Sequence, residues 1–169
     1  MKIKVTIPNL SKQLLGLEIV KHIRKRTQEG RDKDGKPFKP YSTRYFAMPS
    51  GATTQAALKR LESAGNLFWY KKGKSEWVVI KGGYKALKAA WKPQFGGTVN
   101  LTLTGQMMKD LSVIALPKDG IQIGFNRQEN AEKALWSIDR GRDFLGMEDK
   151  ELERLAAKYL NDNIKVEIV

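Results

Sequence analysis

Cysteine is absent from this 169-residue chain, which excludes disulfides and thiolate metal sites. Histidine is nearly absent. His22 is the only one, and it stands among cations, so metal ligation and triad catalysis have no usable imidazole. No apolar run comes near the roughly 18–20 residues that span a bilayer, so no membrane association is expected. The first residues, Met1 to Pro8, alternate polar and apolar side chains and lack the continuous apolar core of a signal peptide. Gly82-Gly83 lacks the Gly-Lys-Ser/Thr spacing of a phosphate-binding loop. Aligning Gly35 with the invariant glycine of a calcium loop puts Gly30 and Tyr41 at the first and last ligand positions, where carboxylates are required. These absences leave no catalytic residue, metal ligand or cofactor site to assign, and an enzyme is not expected.

Positive charge is abundant and unevenly spread. The chain carries 31 Lys/Arg against 18 Asp/Glu, a formal +13. Residues 1–60 hold 14 basic and 4 acidic residues, residues 61–100 hold 7 and 2, and residues 101–169 hold 10 and 12. The first hundred residues are therefore the basic part, which suits contact with nucleic acid or an acidic partner. Candidate contacts are Arg24 and Lys25 at a helix end, then Arg31, Lys33, Lys36 and Lys39. Phe38 and Tyr41 interleave with these lysines. Such aromatics can stack on bases, but more often they pin a loop onto a core, and the second role is favoured here.

The pattern of apolar residues predicts an α+β fold in a single domain, 1–169. Lys2–Ile7 and Lys165–Val169 alternate as strands. From Leu10 to Thr27, Leu15, Gly16, Ile19, Val20 and Ile23 share one helical arc, leaving Leu10 and Leu14 outside it. Asp34-Gly35 signals a tight turn. Thr54–Ser63 and Tyr84–Trp91 read as short helices, and Phe68–Tyr70 with Trp77–Ile80 as a hairpin. Met48–Gly51 reads as a break, and Val99–Leu103 as an extended segment. Thr104 is placed to cap a helix over Gly105–Leu111, with Leu103 and Met108 as a hydrophobic staple. Ser112–Leu116 and Ile121–Phe125 read as strands, and Asn130–Ile138 as a helix. Leu152, Leu155, Ala156, Tyr159 and Leu160 mark the clearest helix, begun by Glu148-Asp149. The expected sheet is antiparallel or mixed, includes strands from both termini, and carries the Leu10–Thr27 and Lys150–Leu160 helices on one face. The tryptophans, Trp69, Trp77, Trp91 and Trp136, read as core or interface anchors.

Three segments, in order, resemble the phage virion morphogenesis family, the tail completion proteins of Mu-like and related tailed phages. The first is Ile23-Arg24-Lys25-Arg26-Thr27 followed by Asp34-Gly35-Lys36-Pro37-Phe38-Lys39-Pro40-Tyr41-Ser42. The second is Leu103-Thr104-Gly105-Gln106-Met107-Met108. The third is Gly141-Arg142-Asp143-Phe144-Leu145-Gly146-Met147, where Asp143 stands at a position commonly proline in that family. The resemblance covers residues 10–46 and 101–160 and leaves 47–100 as a variable insertion. It implies a structural protein at the neck or head-proximal end of a phage tail, a homo-oligomer in a sixfold ring. Its partners would be the tail tube or terminator and the head–tail connector. Its location would be the virion, after assembly in the host cytoplasm. Phe38, Tyr41, Phe144 and Leu145 then become candidate anchoring or subunit-interface residues. The basic half would line a DNA channel, without base readout, or meet acidic neighbours. A basic nucleic-acid-binding module is the alternative.

Overall fold

A computed structural model describes residues 3–6, 8–96, 98–102, 104–118, 120–160 and 165–168. The fold is α+β, as the apolar pattern implies, and every strand pairing among the described residues is antiparallel, but the strands form three separate sheets rather than the one expected, the terminal strands pairing only with each other. The chain gathers into two compact units, Met1–Phe38 with Asn100–Val169, and Lys39–Val99. The segment expected as an insertion, 47–100, coincides largely with the second unit.

In the first unit, strand β1 (Ile3–Thr6) pairs with β7 (Lys165–Ile168), bringing the two ends of the described chain together. Helix α1 (Asn9–Gln28) buries Leu15, Gly16, Val20 and Ile23 of the arc expected from spacing, while Ile19 is half-buried. It packs against helix α6 (Asp149–Leu160) and against the hairpin of β5 (Leu111–Ala115) and β6 (Gln122–Phe125). Gly16 permits that approach. A Cβ there would meet Val113 Cγ2 at 2.7 Å and Ile121 Cγ2 at 3.0 Å. Lys12 is buried on the same helix, and its ammonium donates to Pro117 O (2.9 Å) and Lys118 O (2.6 Å), closing the hairpin's turn. Asp110 ends the short helix α4 (Gln106–Asp110) and accepts from the Arg127 N–H (3.0 Å) and Asn130 Nδ2 (2.9 Å). It thereby starts helix α5 (Gln128–Asp139).

In the second unit, β2 (Phe46–Pro49), β4 (Ser75–Ile80) and β3 (Leu67–Lys72) form a sheet in the order β2–β4–β3. Helices α2 (Gln55–Ser63) and α3 (Gly83–Trp91) cover one face. Ala57, Leu58, Leu61, Leu67, Val78, Ile80, Leu87 and Ala90 form the core between them. Thr54 caps α2 by accepting from the Ala57 N–H (3.2 Å).

Several local expectations change. Phe46–Pro49 is a strand, although Met48-Pro49 signals a break. Pro49 is tolerated because β2 is an edge strand and needs no ladder donor on its outer side. Val99–Thr102 is not a strand. The Asn100 side chain accepts from the Thr102 N–H (3.1 Å) and turns the chain, and Leu101 has φ 50°. Thr104 does not cap α4. The helix starts at Gln106, so Gly105 holds the cap position, and Thr104 Oγ1 accepts from Gln106 N (3.3 Å) from one residue ahead of the cap. The staple residue Leu103 lies outside the described residues, as do Met1, Lys2, Ile7 and Val169 of the terminal strands.

Candidate functional site

The C-terminal turns of α1 are where the Asp34-Gly35 turn, the end of α4 and the Gly141–Gly146 segment meet. Cations at a helix end suit its dipole, but here two of them reach much further. Arg24 donates from Nε to Met108 O (2.8 Å) and from Nη2 to Lys109 O (2.9 Å) and Leu111 O (2.7 Å). These carbonyls close α4, where helix geometry leaves acceptors unpaired, so Arg24 caps it from another element. Arg26, almost fully buried, donates from Nη2 to Phe144 O and Gly146 O (both 2.9 Å) and from Nη1 to Lys33 O (3.3 Å). One side chain thus fastens the Gly141–Gly146 segment and the Asp34-Gly35 turn to α1. Burial pulls the Arg26 guanidinium below its ordinary pKa, and the neighbouring acids Asp32, Glu148, Asp143 and Asp34 oppose that shift.

The turn itself is self-supporting. Asp32 accepts from the Asp34 N–H (3.0 Å) and the Lys36 N–H (2.8 Å), and Gly35 takes φ 73°, open to glycine without strain. Lys33 N donates to Asp143 O (2.8 Å), and the Lys33 ammonium meets the Asp143 carboxylate at 3.0 Å. That hydrogen bond is the first cause of a raised Lys33 pKa. Asp143 therefore serves as the latch for the turn. Phe144 beside it is fully buried.

Between the end of α1, this turn and the start of α6 lies an open cleft of about 440 Å³. Lys25, Arg26, Arg31, Lys33 and Arg154 line it with Glu29, Glu148, Glu151 and His22. The charges are mixed. Glu151 accepts a forked pair from Arg154 (2.7 and 3.1 Å) and sits 3.3 Å from His22 Nδ1. The Arg154 bond holds the Glu151 carboxyl below its ordinary pKa. The cleft wall thus carries both signs of charge. Among the described residues, no group of three His, Cys, Asp or Glu side chains gathers into a metal-ligand set, and no helix is long and apolar enough to cross a membrane.

Comparison with protein-family models, curated proteins and solved structures finds no match for this chain. Of the candidate cationic contacts, Arg24 is committed to three carbonyls, Lys33 to Asp143, and Arg31 donates to Gly35 O (2.9 Å). Arg24 and Lys33 thus hold the fold rather than offer charge to a partner. Lys25 and Lys36 are exposed on the first unit, and Lys39 is exposed at the start of the second. Phe38 and Tyr41 are both buried, which removes them as a base-stacking pair and gives them the anchoring role. Tyr41 meets Tyr84 edge-on at 5.0 Å and accepts from the buried Lys88 ammonium (2.9 Å). Phe144 is an internal anchor rather than an interface residue, and Leu145 is half-buried.

Residues that sequence reasoning missed are Arg26, Lys88 and the exposed aromatics of β3. Arg26 stands in a run of three cations, and nothing in that run says which one turns inward. Trp69 and Trp136 are exposed at 45% and 59%, so neither is a core residue.

Proposed function

We propose that this chain is a structural, non-enzymatic virion protein that completes the head-proximal end of a phage tail and allows head–tail joining. The observation that supports this reading is the convergence at α1. The bonded carbonyls lie up to 120 residues away, yet Arg24 and Arg26 tie the Met107-Met108 and Phe144–Gly146 segments, and Lys33 at the head of the Asp34-Gly35 turn, to one helix end. Residues that form one framework explain why such segments occur together in order. A second support is an apolar stripe left on the outside of α1. Leu10, Leu14 and Leu17 follow i, i+4, i+7 spacing and are exposed at 67%, 44% and 52%. A ring of identical subunits needs such a surface, covered only in the oligomer.

The test is solution mass and negative-stain imaging of the purified protein, alone and with isolated tail tubes. Rings, or protein seated at one end of the tubes, are expected. Replacing Leu10, Leu14 and Leu17 with glutamate should abolish assembly while leaving the circular dichroism spectrum unchanged. A monomer that neither forms rings nor binds tubes overturns the reading.

A further inference from the structure

The second unit carries eleven Lys/Arg against two Asp/Glu, a net +9 of the chain's +13. Its sheet has one face covered by α2 and α3 and one face open. Pairing register decides which side chains stand on the open face. Leu67 pairs with Ile80 and Trp69 with Val78, and these face the helices; Trp69 donates its indole N–H to Glu62 on α2 (3.1 Å). The alternate rows therefore point the other way. They are Phe68 opposite Val79, Tyr70 opposite Trp77, and Lys72 opposite Ser75.

Aromatic rings and cations are interleaved on that face. Phe68 and Tyr70 are 49% and 37% exposed, and the Tyr70 and Trp77 centroids lie 6.2 Å apart. The Lys81 ammonium sits 3.8 Å from the Phe68 centroid, and that of Lys72 sits 5.2 Å from the Trp77 centroid. Both carboxylates of the unit belong to the other face: Glu62 on α2, and Glu76 paired with Lys71 in the helix-facing row. The open face is thus aromatic and purely cationic.

We infer that this face binds single-stranded nucleic acid, with bases stacked on Phe68, Tyr70 and Trp77 and phosphates held by Lys72 and Lys81. Stacking on an aromatic platform tolerates any base, because every base has a π-face. Rows on one face repeat every two residues, about 6.8 Å. That is roughly twice the 3.4 Å per nucleotide of a stacked strand, so successive unstacked bases can meet successive rows. A duplex keeps its bases paired inside and cannot use the rings. A second copy placed face to face would set Lys72 and Lys81 against the same lysines. The inference stands on residues 39–99 alone and is independent of the tail reading.

The experiment is fluorescence anisotropy of a labelled oligodeoxythymidylate with the full chain, over a salt series, beside a labelled duplex. Tight binding of the single strand over the duplex at about 50 mM salt is expected. Phe68→Ala and Tyr70→Ala should each weaken it by roughly fivefold or more, the lower end of measured base-stacking losses. Phe68→Leu and Tyr70→Leu, which keep an apolar strand but remove the ring, should do the same if the alanine variants unfold. Lys72→Gln with Lys81→Gln should reduce the slope of log K against log salt by about 1.4, two single-strand phosphate contacts. Lys59→Gln with Lys85→Gln, the same charge loss on α2 and α3, should leave that slope near the parent value. The inference is overturned by no binding at about 50 mM salt, or by equal binding of duplex and single strand with no effect of ring removal. Self-association that disappears in Phe68→Leu, without oligonucleotide binding, overturns it too and assigns the face to a second copy.

Discussion

Replacing Arg26 with alanine should loosen the whole framework around α1. Its guanidinium makes two 2.9 Å hydrogen bonds, to Phe144 O and Gly146 O, and a longer one of 3.3 Å to Lys33 O. Hydrogen bonds to a charged group contribute about 1.5–3 kcal/mol each, and a buried acceptor left unpaired costs about 1–3 kcal/mol. The desolvation that depresses the Arg26 pKa offsets part of this gain. Gly146 is exposed, so water can replace the lost donor there, whereas Phe144 is fully buried. The expected loss is therefore about 3 kcal/mol, close to two decades in the folding constant. Urea unfolding followed by far-UV circular dichroism measures the total, and amide exchange localises it. The Lys33 N–H, bonded to Asp143 O, should lose protection before the amides of β5 and β6. Arg26→Met keeps most of the stem and removes the donors, so it separates packing from hydrogen bonding. If Arg26→Met matches the parent within about 0.5 kcal/mol, the carbonyls do not depend on the guanidinium and the clasp is refuted.

Gly16→Ala should destabilise by about 1 kcal/mol in the same unfolding assay. The gain of about 1 kcal/mol in helix propensity is outweighed by overlap with Val113, whose branched side chain cannot swing aside; a stabilised variant would refute the close approach. Gly83→Ala should be worse, because Gly83 has φ 64° and a Cβ would strike Ser42 O and the Thr43 carbonyl carbon. An unchanged thermal midpoint would count against it. Asp110 has a depressed pKa, first through the Asn130 hydrogen bond, then through the Arg127 N–H and Asn126. A depressed carboxyl stabilises the fold above its unfolded pKa of about 3.9, and that contribution fades as pH falls through the lower folded value. An acid titration of the Asn130 side-chain amide should show this, and Asp110→Asn should abolish it. A midpoint at or above the ordinary Asp value would contradict the geometry.

Much of the fold was legible in local pattern. The α1 arc, the α6 spacing, the β3–β4 and β5–β6 hairpins and the Asp34-Gly35 turn all follow from periodicity and turn chemistry, which act over a few residues. The Phe46–Pro49 strand was not legible, because an edge position decides whether a proline is tolerated, and edges exist only once a sheet has formed. The role of Thr104 was lost because the helix starts at Gln106, one residue later than expected, and Gly105 takes the cap position with φ 82°.

By itself, the sequence determined the α+β class, the basic excess and the lack of cysteine and of a second histidine. Composition and short-range spacing are properties of the chain before it folds. Only the tertiary structure decided which cations remain available. Arg24, Arg26 and Lys25 are consecutive or nearly so, yet two of them are held by carbonyls 84 to 120 residues away while Lys25 stays exposed. A guanidinium's partners are fixed by packing across the whole unit, and no local rule encodes them. The same holds for the aromatic, cationic sheet face, which arises because strand register sorts alternate residues of β3 and β4 onto opposite sides.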